Sequence, residues 1–251
     1  MRQPPILMYH WFRRSSELSQ SRSPQFEITP ELFERQMTCL RRRGYESVSL
    51  SEMFGGKALP KKPIVITFDD GTLDFWEFGR PILQACGFTA TLFVVTQYVG
   101  TESSWEADVG EPARPLMDWD QLRALAAAGY EIGSHTHTHR ELPRLTDDEV
   151  ADELRESQAI LEAELGAPPA WLAYPRGRYS SSHKTAAATA GYHGACAIAL
   201  RYRDLGYGDR FELKRMTIKG TESMTLFRLR LLAAHFVRYN DSGDHCLQST
   251  D

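Results

Sequence analysis

The chain has 251 residues, with 29 Lys+Arg against 33 Asp+Glu and a formal net charge of −4. Hydrophobic residues make up 42% and charged residues 25%, the balance of a soluble globular protein rather than a disordered or fibrous one. The slight negative charge excludes a strongly basic nucleic-acid binder, whose affinity rests on cations that neutralise phosphates.

The first predicted element is a strand at 6–9, Ile-Leu-Met-Tyr. A loop rich in Ser and Arg is expected over 11–27. A helix over 30–43 comes next, with Thr29 as N-cap, Pro30 in the first turn, Leu32, Phe33, Met37 and Leu40 at helical spacing, and Gly44 closing it. Apolar runs predict strands at 64–68 and 91–95. A second long loop, with Gly, Pro and acidic residues, is expected over 99–115. A helix over 118–128 ends at Gly129 and leads into a strand at 130–133. Thr146 and Glu149 form a capping box for a helix running to Leu165, with Val150, Leu154, Leu161 and Leu165 on its inner stripe. A strand at 171–174, a helix over 180–190, a strand at 195–200 and a helix over 225–236 complete the pattern, before a polar tail, 239–251.

Strand then helix, repeated at least six times, implies parallel strands with helical crossovers. At this length the expected architecture is a distorted (β/α) barrel in a single domain, 1–251, with functional groups at the C-terminal ends of its strands. Cys39, Cys86, Cys196 and Cys246 form no CxxC pair and read as free thiols in a reducing compartment. The apolar run at 6–9 is shorter than a signal-peptide core, and no apolar stretch reaches the roughly 20 residues that cross a bilayer. The expected location is therefore cytoplasmic.

Two motifs carry the chemistry. Asp69 and Asp70 stand in Thr67-Phe68-Asp69-Asp70-Gly71, directly after the run 63–66. Two carboxylates at the end of a buried strand are costly unless paired or metal-bound, although Asp-Asp-Gly is also good turn chemistry. Neighbours on an extended chain point to opposite sides, so the two need not share a role. Gly133-Ser134-His135-Thr136-His137-Thr138-His139 places three of the eight histidines within five residues. An HxxxH spacing sets His135 and His139 on one face if the segment is helical. Two histidines with one carboxylate supply the three protein ligands of a catalytic zinc site, and the second carboxylate is then free to act as base on the attacking water. Ala173-Tyr174-Pro175-Arg176-Gly177 is a turn at another strand end, where a backbone N–H could face a developing oxyanion.

In this order these residues resemble the polysaccharide deacetylases of the NodB-homology type, carbohydrate esterase family 4. The resemblance runs from Ile-Leu-Met-Tyr-His10 to Tyr192 and includes Ala90-Thr91-Leu92-Phe93-Val94-Val95. It implies a distorted barrel of about seven or eight strands and hydrolysis of N-acetyl groups on an amino sugar of an oligo- or polysaccharide. It implies Asp69 as general base, Asp70, His135 and His139 as metal ligands, and the backbone N–H of Arg176 as oxyanion donor. Zn²⁺ is the expected ion, with Co²⁺, Ni²⁺ or Fe²⁺ as alternatives.

Three departures stand out. Ala173 occupies the place of the family's arginine that contacts the base, so the tuning of Asp69 is expected to differ. Arg176 replaces a common tyrosine, and its side chain either meets an anionic substrate or is solvated. The stretch 215–227, Arg-Met-Thr-Ile-Lys-Gly-Thr-Glu-Ser-Met-Thr-Leu-Phe, holds no Leu-x-His motif for the general acid. His10, at the end of the first strand, is the candidate acid, with His235 as competitor.

Other residues read as structural. His137 is expected to make a supporting hydrogen bond, Asp74 to cap a helix, with orienting a ligand as the alternative, and the run Arg41 to Arg43 to match a helix dipole. Trp119 and Trp171 are open to sugar stacking or core packing. Competing functions are an amidohydrolase-type barrel built on His135-Thr136-His137, a glycoside hydrolase using Asp69, and a non-catalytic carbohydrate-binding relative.

Overall fold

The computed structural model describes residues 4–14, 23–199 and 209–234. In chain order the strands are β1 (Ile6–Tyr9), β2 (Trp11–Phe12), β3 (Glu27–Ile28), β4 (Glu46–Ser47), β5 (Pro63–Phe68), β6 (Thr91–Val94), β7 (Glu131–Ser134), β8 (Trp171–Ala173), β9 (Gly194–Ile198) and β10 (Leu213–Thr217). The helices are α1 (Pro30–Arg42), α2 (Leu50–Phe54), α3 (Arg80–Cys86), α4 (Trp119–Ala127), α5 (Asp147–Leu165), α6 (Ser181–Thr189) and α7 (Met224–Ala234). All strand pairings are parallel, in the order β1-β10-β9-β8-β7-β6-β5, and β1 also pairs with β5. Seven strands therefore close into a barrel, and β4 adds an eighth on the edge of β5.

The caps expected for α1 and α5 are present, and α4 and α6 add capping boxes of their own. Thr29 accepts from Leu32 N at the start of α1, and capping boxes open α4 (Asp118, Gln121), α5 (Thr146, Glu149) and α6 (Ser180, His183). The Arg41 guanidinium donates to Ala85 O, 2.8 Å away. Several elements depart from the sequence pattern. The expected loop 11–27 contains β2 and begins β3, a small separate parallel pair. In β10, Lys214 and Arg215 interrupt the apolar run that marks the other strands. α2 has five residues, too few for a periodic signal, and α3 comes directly after a π-helical turn at Phe75–Gly79. The expected loop 99–115 holds a 3₁₀ turn at Ser104–Val109, and single bridges at Thr72–Leu116 and Glu102–Pro115 tie it down.

Side chains alternate across each barrel strand. Leu7, Ile66, Phe68, Leu92 and Val94 face outward into the main helix-packed cluster. Ile6, Val65, Phe93, Trp171, Cys196 and Leu213 form a second cluster at the N-terminal end of the strands, against which Met53 and Phe54 of α2 pack. The interior is filled tightly there: a Cβ on Gly133 would sit 2.7 Å from the Phe93 ring. The same alternation, continued one step past β5 and β1, aims Asp69 and His10 at the opposite mouth.

Candidate active site

Asp69 and Asp70 come directly after β5, and both are buried. Asp69 continues the strand's inward side, its N–H bonded to Tyr9 O at 3.2 Å. Asp70 leaves the extended path with φ 70°, and Gly71 is next at φ 74°. The left-handed turn sends the second carboxylate back to the side the first one faces. Strand alternation alone would have parted them, so the two acids share a site because the strand has ended. A Cβ on Gly71 would lie 2.9 Å from Val94 Cγ1, and both constraints select glycine there.

The histidine motif converges in the same manner. His135 stands just past β7, its N–H bonded to Val94 O at 2.8 Å. The segment after it is not helical; Thr136 at φ 67° and His139 at φ 63° fold it back on itself. Thr136 Oγ1 accepts from His139 N at 3.2 Å, and Ser134 Oγ accepts from Thr136 N at 3.0 Å. Buried Glu153 of α5 accepts from the N–H groups of His137 and Thr138 at 3.0 and 2.8 Å. Glu153 sits on the stripe of α5 that carries Val150, Leu154 and Leu161, and a carboxylate in that apolar row was the signal for this role.

Asp70, His135 and His139 bring one ligand atom each to within 4.8 Å of one another, and all three are buried. Nε2 of each histidine lies 3.6 Å from Asp70 Oδ1. His135 Nδ1 donates to Ala173 O at 2.7 Å, which leaves Nε2 as the lone-pair nitrogen. Burial pushes both imidazoles below their ordinary pKa and so favours the neutral, ligating form. Burial, with Asp69 and Glu106 nearby, pushes Asp70 upward. A carboxylate and two neutral imidazoles fit a divalent cation, whose charge offsets the cost of burying the carboxylate.

Asp69 is set apart from this trio. Arg215 of β10, fully buried, holds it through two parallel bonds, NH1–Oδ1 at 2.6 Å and NH2–Oδ2 at 2.7 Å. Arg215 NH1 also reaches Thr67 Oγ1 at 3.1 Å. Burial alone would raise the Asp69 pKa, but Arg215, with His135 and His10 beside it, holds the carboxyl well below the usual range. Ala173 therefore does not leave Asp69 without an arginine. A different strand supplies one, 146 positions away in the chain, and Arg215 is a site residue that the sequence pattern missed.

His10 Nε2 lies 3.8 Å from Asp69 Oδ2, and its ring packs 4.7 Å from Phe26. Burial pushes this imidazole down to about 4. The Pro175–Gly177 turn puts Arg176 at φ 55°, with Nε 3.8 Å from Glu141 Oε1. A cavity of about 390 Å³ opens onto His10, Asp69, Asp70, His135, His139 and Arg176.

Several candidates fall elsewhere. His137 turns away, Nδ1 3.0 Å from Thr96 Oγ1 and Nε2 3.3 Å from Glu156, so an His-x-His ligand pair of the amidohydrolase type does not form. Trp171 is buried in the barrel floor, its N–H on Ser51 Oγ at 3.0 Å, and Trp119 packs on the main cluster. Asp74 accepts from Phe12 N at 2.9 Å and Thr72 Oγ1 at 2.6 Å, a bracing role. Cys39, Cys86 and Cys196 are free thiols. His235 and Cys246 lie outside the described residues.

Residues 56–195 match the family description "Polysaccharide deacetylase". The chain belongs to the polysaccharide deacetylase family. A Bacillus subtilis (strain 168) protein, YxkH, whose name carries a provisional polysaccharide deacetylase assignment, is 30% identical over 192 residues, covering 75% of this chain and 62% of that one. The poly-β-1,6-N-acetyl-D-glucosamine N-deacetylase of Escherichia coli K12 is 36% identical over 112 residues, 40% of this chain and 16% of that protein. The chain thus spans about three fifths of the first relative and a small part of the second. The structure of the Streptococcus pyogenes deacetylase PplD in complex with acetate superposes with a TM-score of 0.76 at 25% identity, covering 91% of this chain and 98% of that one. The seven-strand barrel with one added strand is the fold of this deacetylase family. Among the described residues no helix is long and apolar enough to cross a membrane.

Proposed function

We propose that this chain is a metal-dependent hydrolase that removes N-acetyl groups from an N-acetylated amino sugar in an oligo- or polysaccharide. The observation that carries the reading is the division of labour between adjacent aspartates: Asp70 joins two histidines, while Asp69 is held apart by Arg215. Family membership and the naming of the Escherichia coli relative as an N-deacetylase of poly-β-1,6-N-acetyl-D-glucosamine support it.

Asp70, His135 and His139 would hold the ion. A divalent cation there supplies charge that polarises the acetamide carbonyl and acidifies the attacking water. Asp69, ionised and fixed by Arg215, takes the proton from that water. The backbone N–H of Arg176, at the cavity wall, is the candidate donor to the oxyanion that develops on the carbonyl. His10 then protonates the departing amine. Because burial leaves His10 neutral near pH 7, the proton it gives is one it first receives. Asp69 has just taken one and lies 3.8 Å away. Transfer from a carboxyl held so low to an imidazole near 4 runs downhill.

The test is acetate release from N-acetylglucosamine oligomers by chelated protein and by protein reloaded with zinc. Release that returns with zinc is the expected result. One tightly bound ion without release defeats the choice of acyl sugar, and absence of metal uptake defeats the site assignment.

A further inference from the structure

Asp70 has two oxygens, and they face different neighbours. Oδ1 lies 3.6 Å from both histidine Nε2 atoms. Oδ2 accepts the indole N–H of Trp11 at 2.8 Å. Trp11 stands on β2, 59 positions earlier in the chain, and is 4% exposed. Its ring is capped by the Arg114 guanidinium, whose carbon lies 4.1 Å from the ring centre. Arg114 NH2 in turn reaches Glu27 Oε1 at 2.7 Å, and Arg13 grips the same buried Glu27 through two bonds of 2.6 Å. The backbone beside Trp11 is tied as well, Phe12 N to Asp74 and Trp11 N to Phe26 O at 3.3 Å.

We propose that Trp11 is a positioning residue of the metal site: its N–H occupies Asp70 Oδ2, so that Oδ1 alone is presented to the ion, and the Arg13–Glu27–Arg114 cluster fixes the indole that does this. The inference rests on the reading of Asp70, His135 and His139 as the ligand set. The physical argument is geometric. A carboxylate free to rotate can bind an ion through either oxygen or both, whereas one held at Oδ2 by a buried donor has a single orientation. The hydrogen bond also opposes the cost of burying the charge. Partners of this kind affect metal affinity by roughly ten- to a hundredfold.

Trp11→Phe keeps the ring and its contact with Arg114 and deletes only the donor. Zinc affinity, measured by chelator competition, is expected to weaken about tenfold. The visible absorption of the cobalt-loaded protein should change as Asp70 gains freedom. Arg114→Gln, which keeps the donor but uncaps the ring, should weaken zinc in the same direction by a smaller factor. A folded Trp11→Phe protein with wild-type zinc affinity and cobalt spectrum overturns the proposal. Should that variant fail to fold, the wild-type indole proton decides. Trp11 Nε1–H should exchange slowly with solvent and shift on zinc loading, while Trp171 Nε1–H in the barrel floor stays put. A Trp11 resonance that ignores zinc overturns the proposal equally. Wild-type protein that takes up no zinc breaks the underlying site assignment, a result distinct from either.

Discussion

The two ends of the barrel are built on opposite terms. At the N-terminal end, Ile6, Val65, Phe93, Trp171 and Leu213 pack into an apolar floor, closed from below by α2. At the C-terminal end, Asp69, Asp70, His135, His139 and Arg215 are all buried. That mouth also holds every non-glycine residue with positive φ among the described ones: Asp70, Thr136, His139 and Arg176. Buried charge and left-handed backbone each carry a free-energy cost, on the order of 1 kcal/mol or more per strained residue. The apolar floor cluster has no charged member, and the left-handed positions that lead into the strands at that end are glycines, which adopt them without strain. The barrel therefore concentrates its stability at one end and its chemistry at the other, and substitutions at the two ends should separate the two properties.

The largest separation is expected at Asp69. Asp69→Asn should lower turnover by about a thousandfold, in the range of a lost general base, while zinc affinity stays near wild type. Loss of zinc in this variant, read by chelator competition, would mean that the aspartates are assigned the wrong way round. The floor should behave inversely. Phe93→Ala should cost about 3–5 kcal/mol in denaturant unfolding, with kcat of the protein that remains folded little changed.

A third experiment uses pH on the metal-free protein. An unfolded imidazole takes up its proton near 6.5, whereas folded His10 does so only near about 4. Between these values the unfolded chain binds more protons, so stability falls as pH drops through the window and levels off below it. His135 and His139 shift in the same direction. His10 by itself contributes a loss on the order of 2 kcal/mol between pH 7 and pH 5, read from urea midpoints, while the raised Asp70 and Asp74 carboxyls act in the opposite direction. His10→Gln should remove that contribution and so change the slope. An unchanged slope in that variant would remove His10 from the account.

The smallest effect is at Arg176, where strain and function can be parted. Arg176→Gly should raise stability by about 1 kcal/mol, because glycine accepts φ 55° without penalty. The half-exposed ion pair with Glu141 contributes little against this. The variant keeps the backbone N–H, so acetate release should persist. A tenfold fall would transfer the role to the guanidinium.

The barrel was legible wherever a strand is apolar and long. β1 matches its predicted span, and β5 to β9 fall within a residue or two of theirs. The candidate site residues were legible because Asp69-Asp70 and His135-Thr136-His137-Thr138-His139 stand at the ends of such strands. Their convergence was not, since it depends on left-handed turns at Asp70, Thr136 and His139 rather than on a helix or on strand alternation. Arg215 was hidden because an inward-facing arginine breaks the very pattern by which a buried strand is read. Trp11 was hidden in a segment that reads as loop. The stretch matched by the family, 56–195, contains Asp69, Asp70, His135 and His139. His10, Trp11 and Arg215 all lie outside it, on the segments before and after.

That placement bears on the order in which the molecule comes into being. β1 is the first barrel strand synthesised and β10 the last, and the ring closes only when the two pair. Until then Asp69 has no guanidinium to face, because Arg215 arrives on the closing strand itself. A nascent chain that has completed β9 already carries every candidate metal ligand, yet its candidate base is still uncompensated. Ring closure and the pairing of Asp69 with its guanidinium are thus a single event, and a truncation that stops short of residue 213 should yield a chain that owns all its candidate ligands and turns nothing over.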